Sequence, residues 1–455
     1  MSQIKTQLMK KILIIGAGRS TSALLRYLEE HAQKHNWEIT AGDRDVRSVQ
    51  SKVSPSTRAI TLDVFQEDQL NSEVQGADIV VSMLPARFHP VVALSCLKYS
   101  RSMLTASYES EEMSEMSTRA KAQGILFLNE LGVDPGIDHM SAMRVINRIR
   151  EAGHELMCFE TFTGGLIAPE SDNNPWHYKI TWNPRNVILA GQGGPARFIQ
   201  EGRYKCIPYH RLFRRTEVID IEGYGKFEGY ANRDSLKYIE KYNLQDVPTV
   251  FRGTLRRPGF CRAWDVFVQL GATDDSFTLQ NTEDMTYKEF INSFLYYSRE
   301  DPVKTKLYQY MHIDQDSDVR EKLEWLGIFD NTRIGLRNAT PAQILEHILC
   351  SKWALEPGDK DMLVMWHKFI YRPKDQDPTL LTSSLVVIGD DPVNTAMAKT
   401  VGIPLGIATK MVLTGQIRLT GVYIPTIKEI YEPILQELEG YGIGFREKLT
   451  VWNGE

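Results

Sequence analysis

The segment Asn129-Glu-Leu-Gly-Val-Asp-Pro-Gly-Ile-Asp-His139 packs three carboxyl groups, one imidazole and two glycines into a short stretch. Carboxylates and imidazole can take and return a proton near neutral pH, and Asp134-Pro135-Gly136 is a turn sequence that presents backbone N–H groups. Two further clusters are cationic: Asn232-Arg-Asp234 and Phe251-Arg-Gly-Thr-Leu-Arg-Arg257. A planar guanidinium grips a carboxylate through two parallel hydrogen bonds, so Arg233 and Arg256 could hold an acidic substrate. Thr163-Gly-Gly165, followed by polar and aromatic residues as far as Tyr178, reads as a strand exit whose backbone a ligand can approach closely.

A second kind of chemistry is written near the N-terminus. Lys11-Ile-Leu-Ile-Ile15 is apolar throughout, Gly16-Ala-Gly18 follows, and apolar residues then recur at helical spacing. Strand, glycine turn and helix in that order place backbone N–H groups and the helix N-terminus where a pyrophosphate can bind. The third position of that fingerprint holds Thr21 in place of Gly or Ala. A second strand from Trp37 ends at Asp43, where a carboxylate can accept hydrogen bonds from ribose hydroxyls. Asp43 leans toward NAD because it repels a 2′-phosphate, while the adjacent Arg44 leaves NADP open.

The elements that must position these groups change character along the chain. Strands ending near Asp63, Pro85, Ser107 and Asn129 alternate with helical segments over residues 1–135, the pattern of a Rossmann-type doubly wound parallel sheet in an α/β protein. From residue 136 to 390 the pattern is α+β with a mixed sheet. Its strands are expected at Glu155–Thr163, Tyr178–Trp182, Val187–Ala190, Arg203–Ile207, Thr216–Ile221, Lys226–Tyr230, Met362–Tyr371 and Leu381–Ile388, with helices at Phe260–Leu270, Thr286–Tyr297 and Ala342–Leu355. Residues 391–455 carry small residues at helical spacing and are expected to return to the first domain. A chain that leaves and re-enters its nucleotide domain creates a cleft suited to a substrate.

Composition narrows the class. The 455 residues are 42% hydrophobic and 24% charged, with a net charge of -5. That excludes disordered and fibrous chains, and without a basic block it argues against nucleic-acid binding. The five cysteines lie at least 48 residues apart, so no C-x-x-C pair can make a zinc or redox site, and no metal is expected. Met1 to Lys11 lacks the order of a signal peptide, and no apolar run approaches the ~20 residues needed to span a bilayer. A cytoplasmic protein with no membrane partner is the expectation.

Taken in order, Gly16-Ala-Gly18, Ala106-Ser-Tyr108, Asn129 to His139, Gly164-Gly-Leu-Ile-Ala-Pro-Glu170 with Asn174-Pro175, Asn232-Arg-Asp234, Gly253-Thr-Leu-Arg256 and Thr395-Ala-Met-Ala with Gly402 resemble the saccharopine dehydrogenase family. The likeness is to its L-glutamate-forming branch, also called saccharopine reductase, and runs over nearly the whole chain. It implies NAD(P)-dependent interconversion of saccharopine with L-glutamate and 2-aminoadipate 6-semialdehyde in lysine metabolism. Hydride would leave the carbon beside the secondary amine, and water would then open the imine. The second domain would bind substrate and dimerise, giving a homodimer.

By the same resemblance, Gly16, Gly18, Arg19, Ser20, Asp43, Arg44, Asp63 and Leu84 would contact the cofactor together with Leu131, Gly132, Asp134, Pro135 and Gly136. Ser107, Tyr108, Arg233, Thr254, Leu255 and Arg256 would hold saccharopine. The implied reaction needs an acceptor for the amine's proton, for which Asp134, His139 and Tyr108 are the candidates; Asp134 and Tyr108 are taken as catalytic, Asp134 as base or as partner to the amine. Two departures stand out: Thr163 occupies a position where fungal relatives carry Cys, and Asp43-Arg44 replaces a pair suited to a 2′-phosphate. Related dehydrogenases of carboxynorspermidine or opine type are the nearest alternatives. A non-catalytic nucleotide sensor is a third.

Overall fold

A computed structural model of the chain describes residues 9–454, so the reading of the N-terminal stretch lies outside the described residues for positions 1–8. Strands β1 (Lys10–Ile15), β2 (Trp37–Asp43), β3 (Arg58–Thr61), β4 (Ile79–Ser82), β5 (Ser102–Thr105) and β6 (Leu126–Leu128) alternate with helices. The next eight are β7 (Glu155–Ile167), β8 (Ala196–Gln200), β9 (Arg203–Ile207), β10 (Thr216–Ile221), β11 (Gly225–Ala231), β12 (Thr249–Arg256), β13 (Asp361–Arg372) and β14 (Thr379–Ile388). Strands β15 (Gly421–Tyr423) and β16 (Arg446–Val451) close the series.

The first sheet is parallel, in the order β15-β6-β5-β4-β1-β2-β3. Its direction of growth reverses between β1 and β4, the switch point at which doubly wound sheets bind ligands beyond their carboxyl ends. Leu13 and Ile15 of β1 enter a core shared with Leu70, Val74, Val92, Ala93 and Leu97 of two flanking helices. Each such side chain stabilises the fold by about 1.5–3 kcal/mol when fully buried.

The chain divides into two compact units, residues 1–155 with 385–446, and residues 156–384 with 447–455. The first boundary falls later than the expected 135, because the helix Ile137–Glu151 packs against the helix Lys428–Glu439 within the first unit. The last nine residues group with the second unit, since β16 joins the end of its sheet. In the first unit the helix Ala396–Leu413 packs along Thr21–His35, where a Cβ on Gly402 would lie 2.5 Å from Leu24 N and one on Gly406 2.5 Å from the Tyr27 ring. By length and composition this 18-residue helix could cross a membrane, against the expectation that no apolar run comes near that length. Most of it is buried, which is the setting of a core helix.

The second sheet is mixed, in the order β10-β11-β12-β7-β13-β14-β16, with β8 pairing β12 and β9. Antiparallel pairs join β10 to β11 and β11 to β12, whereas β12 runs parallel to β7. Two expected strands are absent. Tyr178–Trp182 has no regular structure, and the first half of Val187–Ala190 ends the helix Pro184–Ile188, started by Asn183, whose side chain accepts the Arg185 N–H, while the second half is a turn. The supposed strand exit at Gly164-Gly165 lies inside β7. A Cβ on Gly164 would stand 2.7 Å from the Leu255 carbonyl oxygen, so close strand packing accounts for that glycine.

Candidate active site

The glycine turn after β1 is built by its neighbours. Gly16 has φ +102°, and a Cβ there would sit 2.9 Å from the Met83 carbonyl oxygen, with Leu84 N close by. Only glycine meets both demands. Gly18 is different: no protein atom lies within 4 Å of where its Cβ would be, which leaves the loop open to a ligand. The helix Thr21–His35 begins directly after Ser20, whose side chain makes no capping hydrogen bond. Its first N–H groups and its dipole suit a phosphate. Thr21, at the third fingerprint position, donates its hydroxyl to the Gly16 carbonyl oxygen at 3.3 Å and so helps to close the turn.

Asp43 at the end of β2 accepts the Ala17 N–H at 2.8 Å and the Asp45 N–H at 3.2 Å. Lys52 donates to the Ala17 carbonyl oxygen, and burial pulls its pKa down while Asp43 opposes that fall. The Asp43 carboxylate thus braces the glycine loop and faces a cation. Arg19 and Arg44 are exposed on the same loops. Asp63, just beyond β3, accepts the Phe65 N–H at 3.1 Å as part of its local turn.

Beyond β5 and β6 a second constellation forms. Ser107 and Tyr108 follow Thr105, the last residue of β5, and the Tyr108 hydroxyl donates to Asp134 Oδ1 at 3.1 Å. The chain from Asn129 folds back on itself. Glu130 N–H reaches the Ser107 carbonyl oxygen at 3.0 Å, Leu131 N–H the Thr105 carbonyl oxygen at 3.1 Å, and Gly132 N–H the Pro135 carbonyl oxygen at 2.9 Å. The Asp134–Pro135 peptide bond is cis, and Gly136 adopts φ +150°. A Cβ on Gly136 would overlap the Gly132 carbonyl oxygen at 2.0 Å.

Leu131, Gly132, Asp134, Pro135 and Gly136 are therefore gathered with Ser107 and Tyr108 at the carboxyl edge of the sheet. Gly16, Gly18, Ser20, Asp43 and Leu84 line the same edge at the ends of β1, β2 and β4. His139 leaves the set of proton acceptors. Its ring is fully buried and bonds Glu130 Oε2 at 2.6 Å, with Asp138 Oδ2 3.6 Å from its other nitrogen. His89, not singled out in the sequence, lies between β4 and β5 and touches Ser107. A histidine that begins a helix right after a strand-ending turn is the only sequence signal that could have found it.

In the second unit, Arg256 on β12 is 5% exposed. Its guanidinium carbon lies 5.1 Å from the Tyr178 ring, 5.8 Å from Tyr230 and 5.2 Å from Phe260. Nη1 donates to its own neighbour, the Leu255 carbonyl oxygen, at 2.8 Å, and Nε has no hydrogen-bond partner. Leu255 has its side chain wholly buried, and Thr254 pairs in register with Thr163 and Tyr230. Arg233 is exposed with φ +45°, beside an ion pair between Arg197 and Asp234. Asn232 N–H bonds the Arg252 carbonyl oxygen, and Arg256 lies four residues farther along β12. The two arginine positions are thus about 13 Å apart along the strand and do not form one fork.

Residues 12–128 match the saccharopine dehydrogenase NADP binding domain, and residues 132–443 match the saccharopine dehydrogenase C-terminal domain. The chain belongs to the saccharopine dehydrogenase family. Among members of that family, the L-glutamate-forming, NADP(+) saccharopine dehydrogenase of Pyricularia oryzae is 34% identical over 97% of this chain and 99% of its own. The solved apo structure of the L-Glu-forming saccharopine dehydrogenase of Saccharomyces cerevisiae superposes with a TM-score of 0.87 at 31% identity, covering 97% of this chain and 100% of that one. The mitochondrial alpha-aminoadipic semialdehyde synthase of Rattus norvegicus is 34% identical over 97% of this chain but is matched over only 48% of its length. The chain thus spans about half of that relative. The first unit carries a nicotinamide-dinucleotide-binding domain, and the family's match to an NADP domain does not support the lean toward NAD drawn from Asp43.

Proposed function

We propose that the chain is an oxidoreductase of lysine metabolism that interconverts saccharopine with L-glutamate and 2-aminoadipate 6-semialdehyde. The observation that carries this reading is the Arg256 guanidinium, buried among aromatic faces with no carboxylate of the described residues within ion-pair distance. Burial pulls the Arg256 pKa down, but Tyr230, Tyr178, Cys261 and its register partner Glu228 hold it above the ordinary value, so it stays charged, and its unpartnered Nε keeps a donor for a carboxylate ligand. Saccharopine carries three carboxylates, whereas a polyamine product of the carboxynorspermidine type would want acidic groups.

The oxidised nicotinamide, when bound, supplies the hydride acceptor. The chain's own part is to orient and to move protons. Tyr108 donates to Asp134 and fixes the direction of that carboxylate, which takes the proton of the secondary amine as the C–H bond beside it breaks. In the first unit Ser107 offers a hydroxyl to a substrate carboxylate; in the second unit Arg256 offers a guanidinium and Arg233 adds positive charge. Water then adds to the imine carbon and the C–N bond opens. Overall, saccharopine, water and oxidised cofactor give glutamate, the semialdehyde, reduced cofactor and a proton.

The cofactor in this proposal is NADP. Asp43 is engaged by two backbone N–H groups and faces Lys52, so its repulsion of a 2′-phosphate is reduced, and the exposed Arg44 beside it offers a guanidinium to that phosphate. The proposal also includes a cytoplasmic homodimer. No disulfide joins the described cysteines, which suits a reducing compartment, and light scattering should return twice the 52.0 kDa chain mass.

Assay with saccharopine and either NADP+ or NAD+ tests the reading. Reduction of NADP+ coupled to glutamate release is the expected result. Turnover only with lysine and 2-oxoglutarate, or none with saccharopine, would sink it.

A further inference from the structure

The strands β4 and β5 end in register, with Ser82 paired to Thr105, so two hydroxyl side chains stand side by side at the carboxyl edge. The short connection from Met83 to Phe88 then delivers His89 as the first residue of the helix His89–Lys98. Its ring is 1% exposed and bonds three hydroxyls: Ser82 Oγ through Nδ1 at 2.9 Å, and Ser107 Oγ at 2.7 Å and Thr105 Oγ1 at 3.1 Å through Nε2. The Thr105 hydroxyl oxygen also accepts the Ser107 N–H at 3.2 Å, and the Ser107 carbonyl oxygen accepts the Glu130 N–H.

We propose that His89 is the positioning residue for the Ser107 hydroxyl. Ser107 is held at its N–H, its carbonyl and its side chain, and the third of these depends on one buried ring. Burial keeps that ring neutral, with its pKa near 4, so it carries one N–H and one lone pair, and fixing the Ser82 bond fixes what Nε2 presents to Ser107. A serine hydroxyl left to rotate samples three wells, whereas a bonded one meets an incoming carboxylate in a single orientation. His89 touches no substrate itself. It acts through Ser107, and this inference rests on the proposed saccharopine reading of that residue.

Three variants and one spectrum test it. His89→Ala should raise the saccharopine KM by about tenfold, the worth of one hydrogen bond, with little change in the dinucleotide Kd. His89→Gln, whose amide reaches toward the Nε2 position, should restore most of the loss. In the Ser107→Ala background the His89→Ala change should add nothing, because residues acting as one unit are not additive. Independently of turnover, the His89 Nε2 resonance in a 15N-labelled protein should move in Ser107→Ala. Additive losses in the double variant, or an unmoved Nε2 resonance, would overturn the role of His89. A wild-type chain that fails to oxidise saccharopine would instead overturn the functional reading, with the resonance still reporting the His89–Ser107 contact.

Discussion

Glu130 Oε2 and His139 Nε2 meet at 2.6 Å with both side chains out of solvent. The other Glu130 oxygen accepts the Glu109 N–H at 3.0 Å, so one carboxylate ties the segment after β5 to the helix Ile137–Glu151. Removing it would take one strong acceptor from a buried imidazole and from a half-buried backbone N–H. Glu130→Ala should lose about 3 kcal/mol of stability, the upper end for hydrogen bonds to a charged group. Urea unfolding checks this, and an unchanged midpoint would show that the pair contributes nothing.

The glycines of the two loops should part company. Gly136→Ala places a methyl in the Gly132 carbonyl oxygen and a Cβ at φ +150°, and should destabilise by about 3 kcal/mol or more. Gly18→Ala meets no protein atom, so its melting temperature should be nearly that of the parent. The second substitution should instead raise the KM for the dinucleotide, because the added methyl occupies space left for the pyrophosphate. A stable Gly136→Ala would contradict the fold-back of the 129–139 segment.

Arg256 separates affinity from stability. Arg256→Met keeps the apolar bulk but removes a buried cation packed on three aromatic rings, so stability should fall by no more than about 1–2 kcal/mol. The same variant should raise the saccharopine KM by about 10–100-fold, through loss of a charge-assisted hydrogen bond. Loss of stability together with an unchanged KM would mark the arginine as structural.

His89 gives a pH dependence with a definite sign. Burial lowers its pKa to about 4 in the fold, against about 6.5 in an unfolded chain. Between those values the unfolded state binds the proton and the folded state does not. The contribution is therefore fully present above 6.5 and is lost as pH falls toward 4. From pH 7 to pH 5 the parent should lose about 2 kcal/mol relative to His89→Gln, measured by denaturant unfolding at each pH.

The first sheet was legible because its strands are apolar runs that end at turns, and the edge they share follows from the order of those turns. Gly16, Asp43 and the Asn129–His139 segment could be placed on that logic alone. The second sheet was not equally legible. Its interior strand β12 carries Arg252 and Arg256, which read as a cationic cluster because two of the three rings that cover the Arg256 guanidinium, Tyr178 and Tyr230, come from distant segments, and only Phe260 is near in sequence. Val187–Ala190 is apolar enough for a strand, but Asn183-Pro184 starts a helix there. His89 was not legible because its partners are brought together by strand register rather than by nearness in sequence.

The pairing of Thr21–His35 with Ala396–Leu413 sets an order of events during synthesis. The nascent N-terminal segment leaves the ribosome with an apolar face whose cover is made more than 350 residues later. Chaperone occupancy during elongation should be heaviest on that face and should fall only when the late helix emerges. Messages truncated ahead of it should yield protein that clumps, however complete their dinucleotide loop.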